Sequence, residues 1–247
     1  MIKFSHRLAL SALLLSTLSG VAHADDPPPP PPQDVWFGKG SLGAVVSRGN
    51  SEATTLSAAV DATELSGDWK YQLGGSALRA DTSGVTSADR YELHGQTDYS
   101  LTPRSYLFGA LRYDDDHFSA YTYQATATGG YGYKWIDDAD TKLATELGVG
   151  YRRSKLRLDG SQNGDAIIRA GVNFEHSFNA ATKIFDKFLL ESGKDDTFIT
   201  NDIGINVKMS SKLALGLDYI VRNHSKVPDE TVKKTDTLLT ANIVFSF

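Results

Sequence analysis

Two adjacent pairs, His176-Ser177 and His224-Ser225, set a potential base beside a potential nucleophile. A hydroxyl nucleophile needs its base within about 2.6–3.2 Å, and a third group must orient that base. Neighbours on a strand point to opposite faces, so neither pair is its own dyad. No complete constellation is legible, and no catalytic residue is expected. Hydrolysis of outer-membrane lipid is the least favoured of three functional readings. Asp114-Asp115-Asp116-His117 gathers carboxylates, and Asp114 and Asp116 would share one face. Oxygen ligands of that kind suit calcium or magnesium. The glycine-containing loop and closing glutamate of a calcium hand are missing, so the expectation is a solvated acidic loop at the outer mouth of the fold, with Asp195-Asp196 and Asp229-Glu230 beside it. Gly129-Gly130 precedes no helix and marks close backbone approach within a strand, not a phosphate loop. The chain has no cysteine, which removes disulfides and thiolate metal sites. No cofactor or metal is expected.

Most of the remaining ionisable residues obey a period of two. Tyr91, Leu93, Gly95, Thr97, Tyr99 and Leu101 alternate with Glu92, His94, Gln96, Asp98 and Ser100. Ile168, Ala170, Val172 and Phe174 alternate with Arg169, Gly171, Asn173 and Glu175, and Ile203, Ile205 and Val207 oppose Asp202, Asn206 and Lys208. This is the pattern of strands with one apolar and one polar face. About twelve such segments follow, near 36–48, 53–65, 69–80, 89–101, 105–115, 121–135, 142–155, 166–178, 183–193, 198–209, 213–225 and 234–247, each reaching the roughly 9–11 residues with which a tilted strand crosses a bilayer. The segment at 183–193 is the weakest, because Asp186 falls on its apolar face.

The start of the chain reads as export. Lys3 and Arg7 precede an apolar run from Leu8 to Leu18, and Ala22-His23-Ala24 is a small-x-small cleavage site. Residues 1–24 are therefore expected to be a signal peptide. Its loss removes two cations and no acid, taking the net charge from −5 to −7. An acidic chain offers no general basis for nucleic-acid binding. Residues 25–34 hold six consecutive prolines, Pro27 to Pro32, and read as an extended spacer. Residues 35–247 form the folded domain. Every later apolar run is interrupted by charge or polar strings, so no transmembrane helix is expected. A closed barrel alone remains able to span a membrane, since it pairs every backbone group without water.

The fold class is accordingly all-β: an antiparallel transmembrane β-barrel of the outer-membrane type with about twelve strands. Strands near twice the usual 5–6 residues of soluble proteins separate it from a soluble sandwich. Connections near Ser66-Gly67-Asp68, Thr102-Pro103-Arg104, Asp137–Thr141, Asn179–Thr182 and Ser210–Lys212 are tight, whereas 81–88, 156–165 and 226–233 are longer and polar; the short outer loops at 49–52 and 194–197 weaken the contrast. Short inner turns and longer outer loops are the outer-membrane pattern. Trp36, Trp69 and Trp135 then fall at inner strand ends, and Tyr91, Tyr113, Tyr121, Tyr123 and Tyr151 make an outer girdle. The alternation Ile243, Phe245, Phe247 resembles the signal that barrel-assembly machinery reads. The lumen is expected to receive Glu92, His94, Asp98, Arg112, Glu146, Arg152, Arg169, Glu175, Asp202, Asp218, Arg222 and Asp236, with Lys187, Glu191 and Lys208. These residues line a narrow pore or pair across it and plug it. The two outcomes are open at this stage.

Several blocks carry a family resemblance over about residues 35–247. They are Ser47-Arg48-Gly49-Asn50-Ser51, Asp89-Arg90-Tyr91, Arg104-Ser105-Tyr106-Leu107-Phe108-Gly109, Tyr131-Gly132-Tyr133, Gly148-Val149-Gly150-Tyr151-Arg152, Lys234-Thr235-Asp236-Thr237 and the terminal Ser246-Phe247. In their order the chain resembles the YdiY-like family of salt-induced outer-membrane proteins, a family of unknown function. The resemblance implies a barrel in the outer membrane of a Gram-negative bacterium and a link to salt or osmotic stress. It brings no site residue. The expected function is a structural, non-enzymatic envelope role, with a narrow passive channel for ions or small solutes as the alternative. The expected partners are outer-membrane lipids and, during biogenesis, the assembly machinery.

Overall fold

The structure is a computed structural model that describes residues 34–47, 53–227 and 233–247. The expected signal peptide, residues 25–33 of the spacer and the Asp229-Glu230 pair lie outside the described residues. Twelve strands run in order: β1 Val35–Ser47, β2 Ala53–Ser66, β3 Trp69–Thr82, β4 Val85–Ser100, β5 Ser105–Asp116, β6 Tyr121–Asp137, β7 Thr141–Leu156, β8 Gln162–Ser177, β9 Thr182–Gly193, β10 Thr197–Lys208, β11 Leu213–His224 and β12 Thr235–Ser246. Each pairs antiparallel with its chain neighbour, and β1 pairs with β12 to close the barrel. All twelve expected segments are strands.

Polarity is inverted relative to a soluble protein. Leu42, Leu73, Val149 and Ile243 are exposed on the outside, while Arg112, Arg152, Glu146 and Glu191 are buried inside. Such a surface is stable only where the surrounding medium is apolar. At one rim Trp69 packs on Tyr99 with ring centroids 4.9 Å apart, and Tyr133 packs on Trp135 at the same separation. The Trp135 indole N–H donates to Thr145 Oγ1 at 2.9 Å. At the other rim Tyr91, Tyr113 and Tyr151 are exposed. These are the two aromatic girdles of a membrane barrel.

Three expectations need correction. The long loop placed at 81–88 is a tight turn, because β3 runs to Thr82 and β4 resumes at Val85. Ser83 and Gly84 both adopt positive φ, 52° and 79°. Two left-handed residues are what a type I′ two-residue hairpin turn demands, and Ser-Gly supplies them. Tyr121 does not join the outer girdle. A register shift between Tyr121 and Tyr123 reverses the alternation there and turns Tyr121 inward, where it is buried. The acidic loop at 114–116 is the end of β5, with Asp114 buried in the lumen.

Closure rests on a short seam. The β1–β12 pairing joins five residue pairs, from Lys39–Ser246 to Gly43–Asn242, against thirteen for β1–β2. Phe247 extends it. Its N–H donates to the Gly38 carbonyl at 3.0 Å, and the Gly38 N–H donates to the Phe247 carbonyl at 2.9 Å. A Cβ on Gly38 would sit 2.5 Å from the Phe247 ring, so the absent side chain makes room for the terminal aromatic. Phe247→Asp should therefore remove the heat-modifiable barrel band from outer-membrane fractions; an unchanged band would show that the seam forms without it.

The face assignment has its own test. Val172 points outward near the middle of β8, and Asn173 points into the lumen and lines its cavity. Val172→Arg should cost about 2–4 kcal/mol in equilibrium unfolding of the refolded barrel, the scale for a midplane cation facing lipid. Asn173→Arg should be nearly neutral in the same assay.

Candidate functional site: the barrel lumen

The lumen is organised around aromatic side chains on strands whose inner face is otherwise polar. Tyr106 and Phe108 of β5 point inward and are buried. They fit because β6 and β7 present glycine opposite them. A Cβ on Gly132 would collide with the Tyr106 ring, and one on Gly148 would lie 2.9 Å from the Phe108 ring. The Tyr106 hydroxyl donates to Glu146 at 3.0 Å. Glu146 also accepts from Gln96 at 2.8 Å and from Arg169 at 3.1 Å, and Arg169 reaches Gln96 Oε1 at 3.2 Å. The Arg169 guanidinium lies 5.2 Å from the Phe108 ring centroid. Gln96 donates to Asp98 at 2.8 Å, and Lys70 stands 3.4 Å from the same carboxylate. This cluster ties β3, β4, β5, β7 and β8 together across the lumen.

A second layer forms a septum. Arg112 of β5 donates to Glu191 of β9 at 2.5 Å, and Thr126 of β6 donates to the other Glu191 oxygen at 3.3 Å. Arg222 of β11 bridges Glu92 of β4 at 3.0 Å and also bonds Asp114 of β5. Phe198 of β10 lies against both guanidinium groups, 4.6 Å from Arg112 and 5.0 Å from Arg222. Glu191 is 0% exposed and Phe198 1%. Apart from the neighbours β10 and β11, the strands in contact are not adjacent in the sheet, so these contacts cross the lumen. One cavity of about 430 Å³ lies on the inner side, reached by Lys39, Asp61, His94, Lys187 and Asp202. Another of about 440 Å³ lies on the outer side, lined by Tyr121, Arg152, Asp165 and Asp196. No residue lines both cavities.

The outer cavity is roofed by the β9–β10 connection. Asp196 in this loop is 2% exposed although it is charged and outside the strands. Its carbonyl accepts from Arg152 at 2.6 Å. Its carboxylate accepts from His224 Nδ1 at 2.6 Å, Ser225 Oγ at 3.2 Å and the Lys226 N–H at 3.1 Å. Burial alone would raise the Asp196 pKa. The His224 hydrogen bond and charge, the Lys226 N–H and the Arg152 charge outweigh it and hold the carboxyl below its usual range. A depressed folded-state pKa makes this anchorage fully present above the unfolded value near ~3.9 and loses it as pH falls through the folded one.

The remaining expected lumen residues are less closely bound. His94 meets Asp61 at 3.1 Å, and Lys183 donates to Glu175 at 2.9 Å. Asn242 donates to Asp218 at 2.6 Å. Asp202 Oδ1 is buried without a hydrogen-bond partner among the described residues. Asp236 is exposed near the outer end of β12, opposite Arg222 in register. Neither histidine–serine pair is a dyad. His176 meets the Thr141 hydroxyl at 2.9 Å, while Ser225 and His224 both bond Asp196 instead of each other. Among the described residues no group of three or more His, Cys, Asp or Glu could hold a metal ion.

The sequence reading missed Phe198, Tyr106, Phe108 and Asp196 as parts of the site. For the three aromatics a signal existed: each occupies the polar phase of its strand, where an apolar ring has no solvent-facing reason to be. Asp196 carried no such signal, because nothing local says that a charged loop residue folds inward.

Residues 40–247 match the family described as "Protein of unknown function, DUF481". The chain belongs to this family. It is 23% identical over 207 residues to the uncharacterized protein YdiY of Escherichia coli K12, covering 83% of this chain and 81% of that protein. The barrel is similar to the NanC porin, with a TM-score of 0.52 and 11% identity over 85% of this chain and 99% of that one. It is equally similar to the COG4313 outer-membrane channel of Pseudomonas putida F1, at a TM-score of 0.52 and 11% identity, covering 90% and 99%. At that identity the likeness establishes the fold, a twelve-stranded barrel of the outer-membrane type.

The septum has a direct energetic consequence. Removing one member of a buried ion pair leaves an uncompensated charge and costs about 3–5 kcal/mol, whereas replacing both with apolar groups is often neutral. Arg112→Met should destabilise the DUF481 barrel on that scale in urea unfolding followed by tryptophan fluorescence. Arg112→Met with Glu191→Met should recover most of the loss.

Proposed function

We propose that this protein is an integral barrel of a Gram-negative outer membrane, exported through a signal peptide at residues 1–24, which serves the envelope as a closed structural element under salt or osmotic stress. The septum is the observation that carries this reading. Arg112, Glu191, Arg222, Asp114 and Phe198 meet across the lumen and separate the two cavities. Buried pairs are screened by salt much less than exposed ones. A septum built from buried pairs therefore stays shut at ionic strengths that loosen surface ion pairs, as a barrel in a salt-stressed envelope requires. The link to stress comes from the family resemblance.

A second reading is a narrow passive channel. Two cavities of about 430 and 440 Å³ already lie within the barrel, and the similar folds include a porin and an outer-membrane channel. Planar-bilayer recording of the refolded protein separates the two. The wild type should carry no steady current at moderate voltage, and the triple substitution Arg112→Ala, Phe198→Ala, Arg222→Ala should open steps of small conductance. Steady current through the wild type would defeat the structural reading and leave the channel in its place.

A further inference from the structure

Asp186 breaks the rule that governs the rest of the outer face. It is the fifth residue of β9, lies between Ile184 and Phe188 on that face, and stands opposite Phe174 of β8 and Ile203 of β10. Four residues at about 3.3 Å each, on a strand tilted by about 40°, raise it about 10 Å above the inner strand end, within an apolar band about 25 Å tall. Other ionisable side chains on the outer face keep to the strand ends. Glu64 stands opposite Trp36 at the inner girdle, and Arg79 stands opposite Asp89 beyond Tyr91 at the outer one. Among these, Asp186 stands farthest from a strand end.

It is not alone on its patch. Asn201 of β10 also faces outward, and its amide donates to Asp186 Oδ1 at 2.5 Å. That bond uses one carboxylate oxygen and one amide hydrogen. Among the described residues the pair's other polar atoms have no partner: a second carboxylate oxygen, a second N–H and the amide oxygen. Acyl chains offer no hydrogen bonds, so the part of the pair that faces them is left unsatisfied by lipid. Unsatisfied polar groups in hydrocarbon are costly, and protein partners are the usual remedy. The patch carries both a donor and an acceptor, which makes it complementary to itself. A two-fold axis through it would bring each Asn201 amide onto the other copy's Asp186 carboxylate, as an isologous contact requires. Phe188, Ile203 and Ile205 would pack around the four polar groups.

We propose that the protein self-associates in the membrane through the outer face of β9 and β10, with Asp186 and Asn201 making reciprocal hydrogen bonds to a second copy of the chain. The absence of cysteine allows a clean test, since one introduced thiol is then the only one. Ile203→Cys places it in the patch, and Leu73→Cys places it on the outer face of β3 as a control. After oxidation in native outer membranes, Ile203→Cys should give a product of twice the chain mass and Leu73→Cys should not. Adding Asp186→Leu and Asn201→Leu to Ile203→Cys should lower the cross-linked fraction at least ten-fold while the heat-modifiable barrel band persists. The added leucines make the lipid face more apolar, so loss of the product with the band intact is loss of association and not of folding. The proposal is overturned if Ile203→Cys cross-links no better than Leu73→Cys, if the product survives the two leucines, or if its mass identifies a different protein as the partner.

Discussion

Everything in this barrel depends on the requirement that no backbone N–H or C=O face hydrocarbon unpaired. A sheet meets it only by closing on itself, because an open edge would carry a row of unsatisfied groups. Closure falls on β1 and β12, the two strands farthest apart in sequence, and it is there that the ladder is shortest. The reciprocal bonds between Gly38 and Phe247 lengthen the ladder where it is weakest, and the missing side chain at Gly38 admits the Phe247 ring against it. Once the ladder is closed, each strand has one face in lipid and one in the lumen, and the alternation of the sequence becomes a sorting of side chains.

That sorting explains why the fold was legible and the interior only partly so. Period-two alternation is a local property, so segments such as 91–101 and 199–207 declare both their strand state and their two faces. Hairpin geometry is also local, but the Ser83-Gly84 turn was hidden because the residues around it are polar enough to pass for a loop. Tyr121 was misread because a bulge shifts the phase by one, and the sequence around it carries no break in pattern. Which inward residues meet is a different question. Arg222 and Glu92 are 130 residues apart and touch only because the barrel bends β11 round to face β4. No local pattern encodes that distance, so the lumen could be populated from sequence but not wired.

The wiring follows from charge and size. Both signs occur on the inner face, and a narrow lumen leaves little room for water to solvate them separately. Arg112 and Arg222 therefore find carboxylates on the opposite wall, and the flat faces of their guanidinium groups settle on Phe198. Neither contact alone is decisive, since a desolvated ion pair gains little net free energy over an apolar replacement. Together they fix where the lumen closes, because a ring flanked by two cations fits where both cations already have anions. The glycines of β6 and β7 do the same for the inner cluster by giving Tyr106 and Phe108 the space to reach the axis.

The outer face gives polar groups fewer partners to choose from. A polar group inside the barrel can find a partner by crossing the lumen, as Glu191 does with Arg112. A polar group outside has only its sheet neighbours, and Asp186 finds one in Asn201. Inside, most charged groups meet one of opposite kind across the lumen, although Asp202 Oδ1, Asp218 Oδ1 and single guanidinium nitrogens of Arg152 and Arg169 have no partner among the described residues. Outside, the Asp186–Asn201 pair stops halfway, with a donor and two acceptors still turned toward lipid. The interior of this barrel draws its partners from a single chain. The outer surface has no second wall to draw on, so completing the set there requires a surface that belongs to another molecule.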